Sequence, residues 1–532
     1  MPHENGRMPP AGAQVDDGWV LKRLTEPSRL FGANGIRTGT DGRIYVAQVA
    51  GSQISAIDPD SGLIDTISPF GGDIIGPDDL VFDEVGNLYV TELTEGRVCM
   101  RAPNGTVSII QGDMPVANPI TYHQGRLIAG ECRPGARIME LDRNGGAPRI
   151  ILDNVPMANA FEVGPDGKLY FPVMGTNEIW RVDLAGGPPE IVAGDLGVPD
   201  SVKFDSKGFI VSTQVASGQV LRIDPRSGER TVLADIQPGM DNCTFVGDRL
   251  FVSNMVGSID EIIAPGEVRP LVKKGLQWPM GIAVGDGGLI YVADGAFGYT
   301  FRPGEPLHLV GMLFSPGYPG FTRGVAAGAD GSWITGTANG EVKRYRPNDQ
   351  ASEEIASGLD RVMGIAVSAR GAVLFAEYGT GRLLSAENGT VVTLASGLDR
   401  PAGVAIDRNG VAYVAESGAG RIVKVESGRS SILADGLQQP EGIALVGDTL
   451  FVIDVGAKAL LSMPLRGGSV KVLASSLPVG APPGTERKYL GAVGILSGPM
   501  NAFCGLAAAP DGSLCFAADG EGSVMALSPK AV

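Results

Sequence analysis

Six short oxygen-bearing side chains, Asn34, Asp78, Asn118, Asn159, Asp200 and Asp241, recur through the first half of the chain at intervals of 44, 40, 41, 41 and 41 residues. A fold that gathers one from each interval about a common point would build a cage of three carboxylates and three amides. Carboxylates brought that close repel strongly unless some hold protons or a cation binds among them. Oxygen donors without thiols or imidazoles suit a hard divalent ion, calcium first, with magnesium, manganese and zinc as further candidates. Such an ion with an open coordination position polarises a carbonyl and acidifies a bound water.

The element that must position these residues is a repeat. GIAVGDGGLIYVADG (281–295), GVAIDRNGVAYVAESGAGRIVKV (403–425) and GIALVGDTLFVIDVG (442–456) each read as a strand, a tight glycine turn and a second strand ending in an acid. Anchoring every unit on the apolar residue that opens its first strand gives Ile36, Leu80, Ile120, Phe161, Val202, Cys243, Ile282, Val325, Ile365, Val404, Ile443 and Leu506. All intervals are near forty residues except the last, 63, which carries an insertion within 478–500. Units of this length with four short strands are the signature of a β-propeller blade. Twelve exceed one ordinary ring, so the chain is expected to be all-β, two tandem six-bladed propellers of four-stranded blades. The division falls after unit six, because the position two before the anchor then changes to Met280, Arg323, Met363, Ala402, Glu441 and Cys504.

The expected segments are a tail (1–18), a first propeller (19–265) and an accessory second propeller (266–532). The strand 19–24 is expected to close the first ring and 266–275 the second. In each blade the residue just before the first strand sits at the channel mouth, and a regular hairpin puts Gln48, Glu92, Glu131, Val173, Gln214 and Asn254 opposite the six mouth residues. Glu92 and Glu131 thereby become candidate catalytic acids beside Asp200, and Gln48 and Gln214 candidate substrate contacts. Met114, Met157 and Met240, just ahead of mouth residues, with Phe161, would give the site an apolar lining suited to an apolar substrate. In the second half, Asp294, Glu377, Glu416 and Asp454 end second strands and are expected to cap backbone groups.

The segment VPDSVKFDSKGFIV (198–211) resembles the family of senescence marker protein, gluconolactonase and luciferin-regenerating enzyme, six-bladed metal-dependent hydrolases. The resemblance covers about residues 30–275 and implies metal ligands at blades one, three, four and five, here Asn34, Asn118, Asn159 and Asp200. The family has Glu where this chain has Asn34, and Asp78 or Asp241 would supply the missing charge. It also implies that Asp200 is both ligand and nucleophile or base. The arginine of sugar-lactonase members is Val116 here, which argues against a sugar acid lactone. The implied activity is a divalent-metal-dependent lactonase or esterase. The same site could instead serve a lyase, isomerase or cyclase, and a binding platform is the non-enzyme reading.

The formal charge of -16 disfavours nucleic acid as a partner. No apolar run reaches the length of a membrane helix and the first residues have no signal-like core, so no membrane partner and a cytoplasmic location are expected. Five cysteines without CxxC spacing and only three histidines leave little for a disulfide framework or a histidine metal site. The second ring is read as scaffold, lid or oligomerisation surface, leaving a small molecule as the first ring's partner.

Overall fold

The computed structural model describes Arg7, residues 12–493 and residues 503–530. Among these residues it forms twelve antiparallel sheets, eleven of four strands and one of five. They fall into two compact units of six sheets each. In ten of the twelve sheets the strands run in chain order from the innermost outwards, joined by short turns, as alternating apolar residues separated by Gly, Asp and Asn require; in the other two the outermost strand comes from the amino-terminal segment. The architecture is that of two six-bladed β-propellers.

In the first unit the inner strands are Ile36–Thr38, Pro77–Phe82, Ala117–His123, Glu162–Val163, Lys203–Phe204 and Met240–Val246. Apolar clusters fill the spaces between neighbouring blades; one joins Ile36, Ile44 and Ile57 of blade one to Phe251, Ile259 and Val272 of blade six and so seals the ring. Across that seam the Ser253 hydroxyl donates to Asn34 O at 2.7 Å and Thr38 N donates to Thr244 Oγ1 at 3.0 Å.

Closure runs opposite to the expectation. The strand Trp19–Arg23 pairs with Ser523–Pro529, in register Trp19 with Pro529 to Arg23 with Met525, and so completes blade six of the second ring. The strand Glu267–Val272 pairs with Ser258–Ala264 and completes blade six of the first. Each ring thus loses its open edge, but the body of the first is Ser28–Gln277, and Met8–Pro27 belongs to the second. The reason lies in what each strand adjoins: 267–272 follows its partner through a two-residue turn, the cheapest connection available. Gln14–Val15, expected in a tail, adds a fifth strand beside Ala474 and Ser475. The expected insertion lies between Lys471–Ser475 and Leu506–Ala508. Its residues 494–500 fall outside the described ones, and residues 486–493 are grouped with the first unit.

Candidate functional site at the mouth of the first ring

The six mouth residues are buried, each at most 8 % exposed. Their backbones are locked from the preceding blade: the Thr91 hydroxyl donates to Asn118 O at 2.7 Å, and Thr213 does the same to Asp241 O. The side chains meet across blade boundaries. Asn34 Nδ2 donates to Asp241 Oδ2 at 3.2 Å, joining blades one and six. Asn159 Nδ2 donates to Asp200 Oδ2 at 3.0 Å, joining blades four and five. The amide oxygens of Asn34 and Asn159 accept from Val49 N and Ala160 N.

The acids act on one another electrostatically. Burial, then Asp79, pushes Asp78 up to about 8. Burial, then the charges of Asp78 and Asp79, drives Asp200 well above the usual carboxylate range. Asp241 rises for burial first, then Asp200 and Asp78, partly opposed by the hydrogen bond from Asn34. The Cys132 thiol is raised by burial and then by Asp200, Asp78 and Asp241, which puts it beside the same three acids. Among the described residues, no three His, Cys, Asp or Glu are grouped as a ready chelate.

Below the mouth lies a charged layer that the sequence reading missed. Arg37 Nη1 pairs with Glu162 Oε2 at 2.9 Å, Lys203 Nζ lies 3.2 Å from the same oxygen, and Arg37 also donates to Leu80 O and Ile120 O. Glu162, against the pull of burial, is held below the usual range by Lys203 and Arg37. Asp79 accepts from Leu80 N and Ile120 N; burial still raises it, while Arg37 and Lys203 draw it down. The missed signal was a broken triplet. The second half carries Gly, an aliphatic anchor and Ala at all six inner strands, from Gly281-Ile282-Ala283 to Gly505-Leu506-Ala507. The first half keeps Gly35 before its first anchor but carries Asp79, Ser201 and Asn242 before three others and Arg37, Glu162 and Lys203 after three.

Several expected site residues lie elsewhere. Glu92 accepts from Ile75 N at 2.6 Å and is gripped by both Nε and Nη2 of Arg97. Glu131 is held by Arg133, by Arg137 N and by the Arg137 guanidinium. Both carboxylates are thus engaged by arginine side chains and backbone N–H groups. Gln48 and Gln214 are also caps, accepting from Phe31 N and Gly197 N. The physical reason is a β-bulge: Pro77, not Asp78, pairs with Glu92, and Ala117, not Asn118, with Glu131. One extra residue turns the capping side chains away from the mouth. Glu377, Glu416, Asp294 and Asp454 cap backbone N–H groups in the second ring as expected. Met114, Met240 and Phe161 are core residues packed between blades. Met157 is part-exposed. Met174, whose Sδ lies 3.2 Å from Asn159 Nδ2 and 3.9 Å from Cys132 Sγ, borders the acids without having been foreseen.

Two places before each mouth residue the backbone is left-handed in all six blades: Gly32, Gly76, Val116, Met157, Val198 and Gly239 have φ of 82°, 56°, 58°, 61°, 62° and 94°. Side chains there cost about 1–2 kcal/mol relative to glycine, most for β-branched valine. Hydrogen bonds pin the turns in the same way: Val116 O, Met157 O and Val198 O accept from Cys132 N, Met174 N and Val215 N at 2.9, 2.9 and 2.8 Å. At Gly76 an added Cβ would meet the Thr94 hydroxyl at 2.7 Å and Leu490 Cδ2 at 3.6 Å, so the described residues 486–493 reach blade two here.

No family model matches the chain, and a search of curated proteins finds no match. Among solved structures, a streptogramin B lyase is 18% identical over 52% of this chain and 94% of its own, with a TM-score of 0.39. A virginiamycin B lyase from Staphylococcus aureus gives 18%, 52%, 96% and 0.39. A gluconolactonase from Xanthomonas campestris gives 17%, 46%, 96% and 0.38. These likenesses concern the fold and do not select a reaction. Among the described residues no helix is long and apolar enough to cross a membrane.

Proposed function

We propose that the first ring is a divalent-cation-assisted hydrolase of lactone or ester type acting on a small, rather apolar molecule. The observation that carries this reading is the set of three buried acids, Asp78, Asp200 and Asp241, whose negative charges oppose one another at one mouth. The donor set fits a hard cation: carboxylates plus the amide oxygens of Asn34, Asn118 and Asn159, whose second lone pairs remain compatible with a metal even where a backbone N–H uses the first. Among the described residues no carboxylate trio chelates alone, so the amides are required partners. Calcium is the first candidate, and when bound it would polarise the substrate carbonyl.

The chain's own residues bind, orient and move protons. Asn159 fixes the Asp200 carboxylate through Oδ2, and Asn34 fixes Asp241. Asp200 takes the proton of the attacking water and returns it to the departing oxygen. Arg37 and Lys203 hold countercharge beneath the acids through Glu162 and Asp79. The test is pH-stat titration of the EDTA-treated full chain with γ-lactones and aryl esters, with calcium, magnesium, manganese or zinc restored. Acid release that needs a cation and vanishes in Asp200→Asn supports the reading. Product formed without uptake of oxygen-18 from solvent would point to a lyase or isomerase at the same site. Full indifference to chelator and to that substitution would leave a binding platform.

A further inference from the structure

Of the five cysteines, Cys99, Cys243, Cys504 and Cys515 are buried and only Cys132 is part-exposed. It follows the second strand of blade three, and Met174 holds the same place in blade four: Cys132 N donates to Val116 O and Met174 N to Met157 O, each at 2.9 Å. The two neighbouring loops bring their sulfur atoms together, Cys132 Sγ lying 3.9 Å from Met174 Sδ. At the corresponding place the second ring has Tyr378, Ser417 and Val455, whose N–H groups donate to Arg361 O, Arg400 O and Gln439 O in the same way. The blade plan alone therefore does not require sulfur there.

Side-chain contacts fix where the pair points. Asn159 Nδ2 lies 3.2 Å from Met174 Sδ and donates to Asp200 Oδ2 at 3.0 Å, so a continuous line of contacts runs from the thiol to a mouth acid. The amide occupies one lone pair of the thioether and leaves the other free. Burial and then the charges of Asp200, Asp78 and Asp241 raise the Cys132 thiol; the same charges draw in a positive ion. Two more side chains at this mouth, Asp78 and Asn118, are 6 % and 8 % exposed, and among the described residues no hydrogen bond reaches either of them. The mouth thus holds both a sulfur pair and unpartnered buried oxygen donors.

Thiolate and thioether are soft donors, which select monovalent copper over the hard ions that suit carboxylates and amides. With metal–sulfur bonds of about 2.3 Å, the observed separation corresponds to a sulfur–metal–sulfur angle of about 116°, close to trigonal. Among the described residues no three His, Cys, Asp or Glu are grouped, which disfavours a closed four-ligand zinc site. Two sulfurs are enough for a copper ion whose third position is taken by water or halide. We propose that Cys132 and Met174 form a soft-cation site at the first ring's mouth, binding monovalent copper through Sγ and Sδ beside the oxygen donors. On binding, the Cys132 S–H bond breaks, a bond from Sγ to copper forms and the proton passes to solvent, with copper and sulfur unchanged in oxidation state. The site does not depend on the hydrolase reading.

The test measures binding rather than turnover. The full chain, freed of metal with EDTA and then of the chelator, is titrated anaerobically with cuprous ion against bicinchoninate, and the ultraviolet thiolate-to-copper absorption is recorded. The wild type should take up one equivalent more than Cys132→Ser and show an absorption band that the variant lacks. Loss of an outer-shell partner alone costs about 10–100-fold in metal affinity. Met174→Leu, which keeps the volume and the thiol, should therefore weaken that equivalent by at least about tenfold. Cys132→Ala stands in should the serine variant fail to fold. Equal uptake by the wild type and the Cys132 variants overturns the site, and an affinity unchanged in Met174→Leu overturns the sulfur pair. Uptake that follows both sulfurs supports the site whether or not calcium-dependent acid release is observed, so its fate and that of the hydrolase reading are separate.

Discussion

The two rings share one blade plan and differ along their axes. In the second, the residues flanking each anchor are glycine and alanine without exception, and a Cβ on Gly281, Gly324, Gly403 or Gly442 would collide with the carbonyl of Arg323, Met363, Glu441 or Cys504 in the next blade. Among the described residues a cavity of about 30 Å³ at its centre is lined by Gly281, Gly364, Gly403, Gly442 and Gly505 with the anchors, room for about one water. In the first ring the same positions carry Asp79, Ser201, Asn242, Arg37, Glu162 and Lys203, and the mouth above them carries six Asn and Asp residues. The acids that end the second strands do not differ: Glu92 with Arg97 in the first ring and Glu416 with Arg421 in the second each cap a loop amide. What the blades hold in common maintains the scaffold, and what only one ring possesses is where chemistry has to be sought.

The sharpest way to break this comparison is at the mouths. Asp200→Asn should lower kcat for the best lactone or ester by about 10²–10⁴-fold, whereas Glu441→Gln in the second ring should leave it within about twofold. The reverse result in steady-state kinetics would move the active centre to the other ring. Next in size, Glu92→Gln and Glu416→Gln each break a buried ion pair and should cost about 3 kcal/mol alike in urea unfolding. The folded Glu92→Gln protein should keep its rate; a large loss of kcat would restore Glu92 to the catalytic group. Gly403→Ala forces a methyl group against a neighbouring carbonyl and should destabilise by about 1–3 kcal/mol, while Ala160→Gly at the matching place in the first ring should cost about 0.5–1 kcal/mol. Equal costs would mean that the two axes are packed alike.

The smallest effect is in pH. Asp78 titrates near 8 in the folded chain against 3.8 ordinarily, so between those values the native state keeps a proton that the unfolded chain has lost. Its stabilising contribution is full below about pH 4 and declines as pH rises towards 8. Tm in EDTA should fall across that window, and calcium should flatten the fall by replacing the proton. A Tm profile indifferent to calcium would count against a cation among the acids.

The twelve blades, their division into two sixes and the buried mouth residues could be read from the chain because period, turn glycines and anchors are local properties. The strand pairing that closes the rings was misassigned although the two-residue turn before 267–272 was legible; what the chain does not show locally is that 19–23 pairs with a strand some five hundred residues later. Glu92, Glu131 and Gln214 face one residue before the mouth positions rather than the mouth positions themselves because a one-residue register shift is silent in the sequence. Met114 and Met240 look like lining by position and prove to be packing. Arg37, Glu162 and Lys203 went unnoticed because each looks like an ordinary strand residue until it is aligned with the alanines of the other half.

The pairing of Trp19–Arg23 with Ser523–Pro529 makes one propeller a parenthesis inside the other. A nascent chain can finish the inner ring once Val272 has left the ribosome, but its opening strand must wait unpaired for more than half of translation until the last blade arrives. The outer ring is therefore the later and more fragile product of synthesis. Truncations near the carboxyl end should strip it of its seal while sparing the ring that carries the acids.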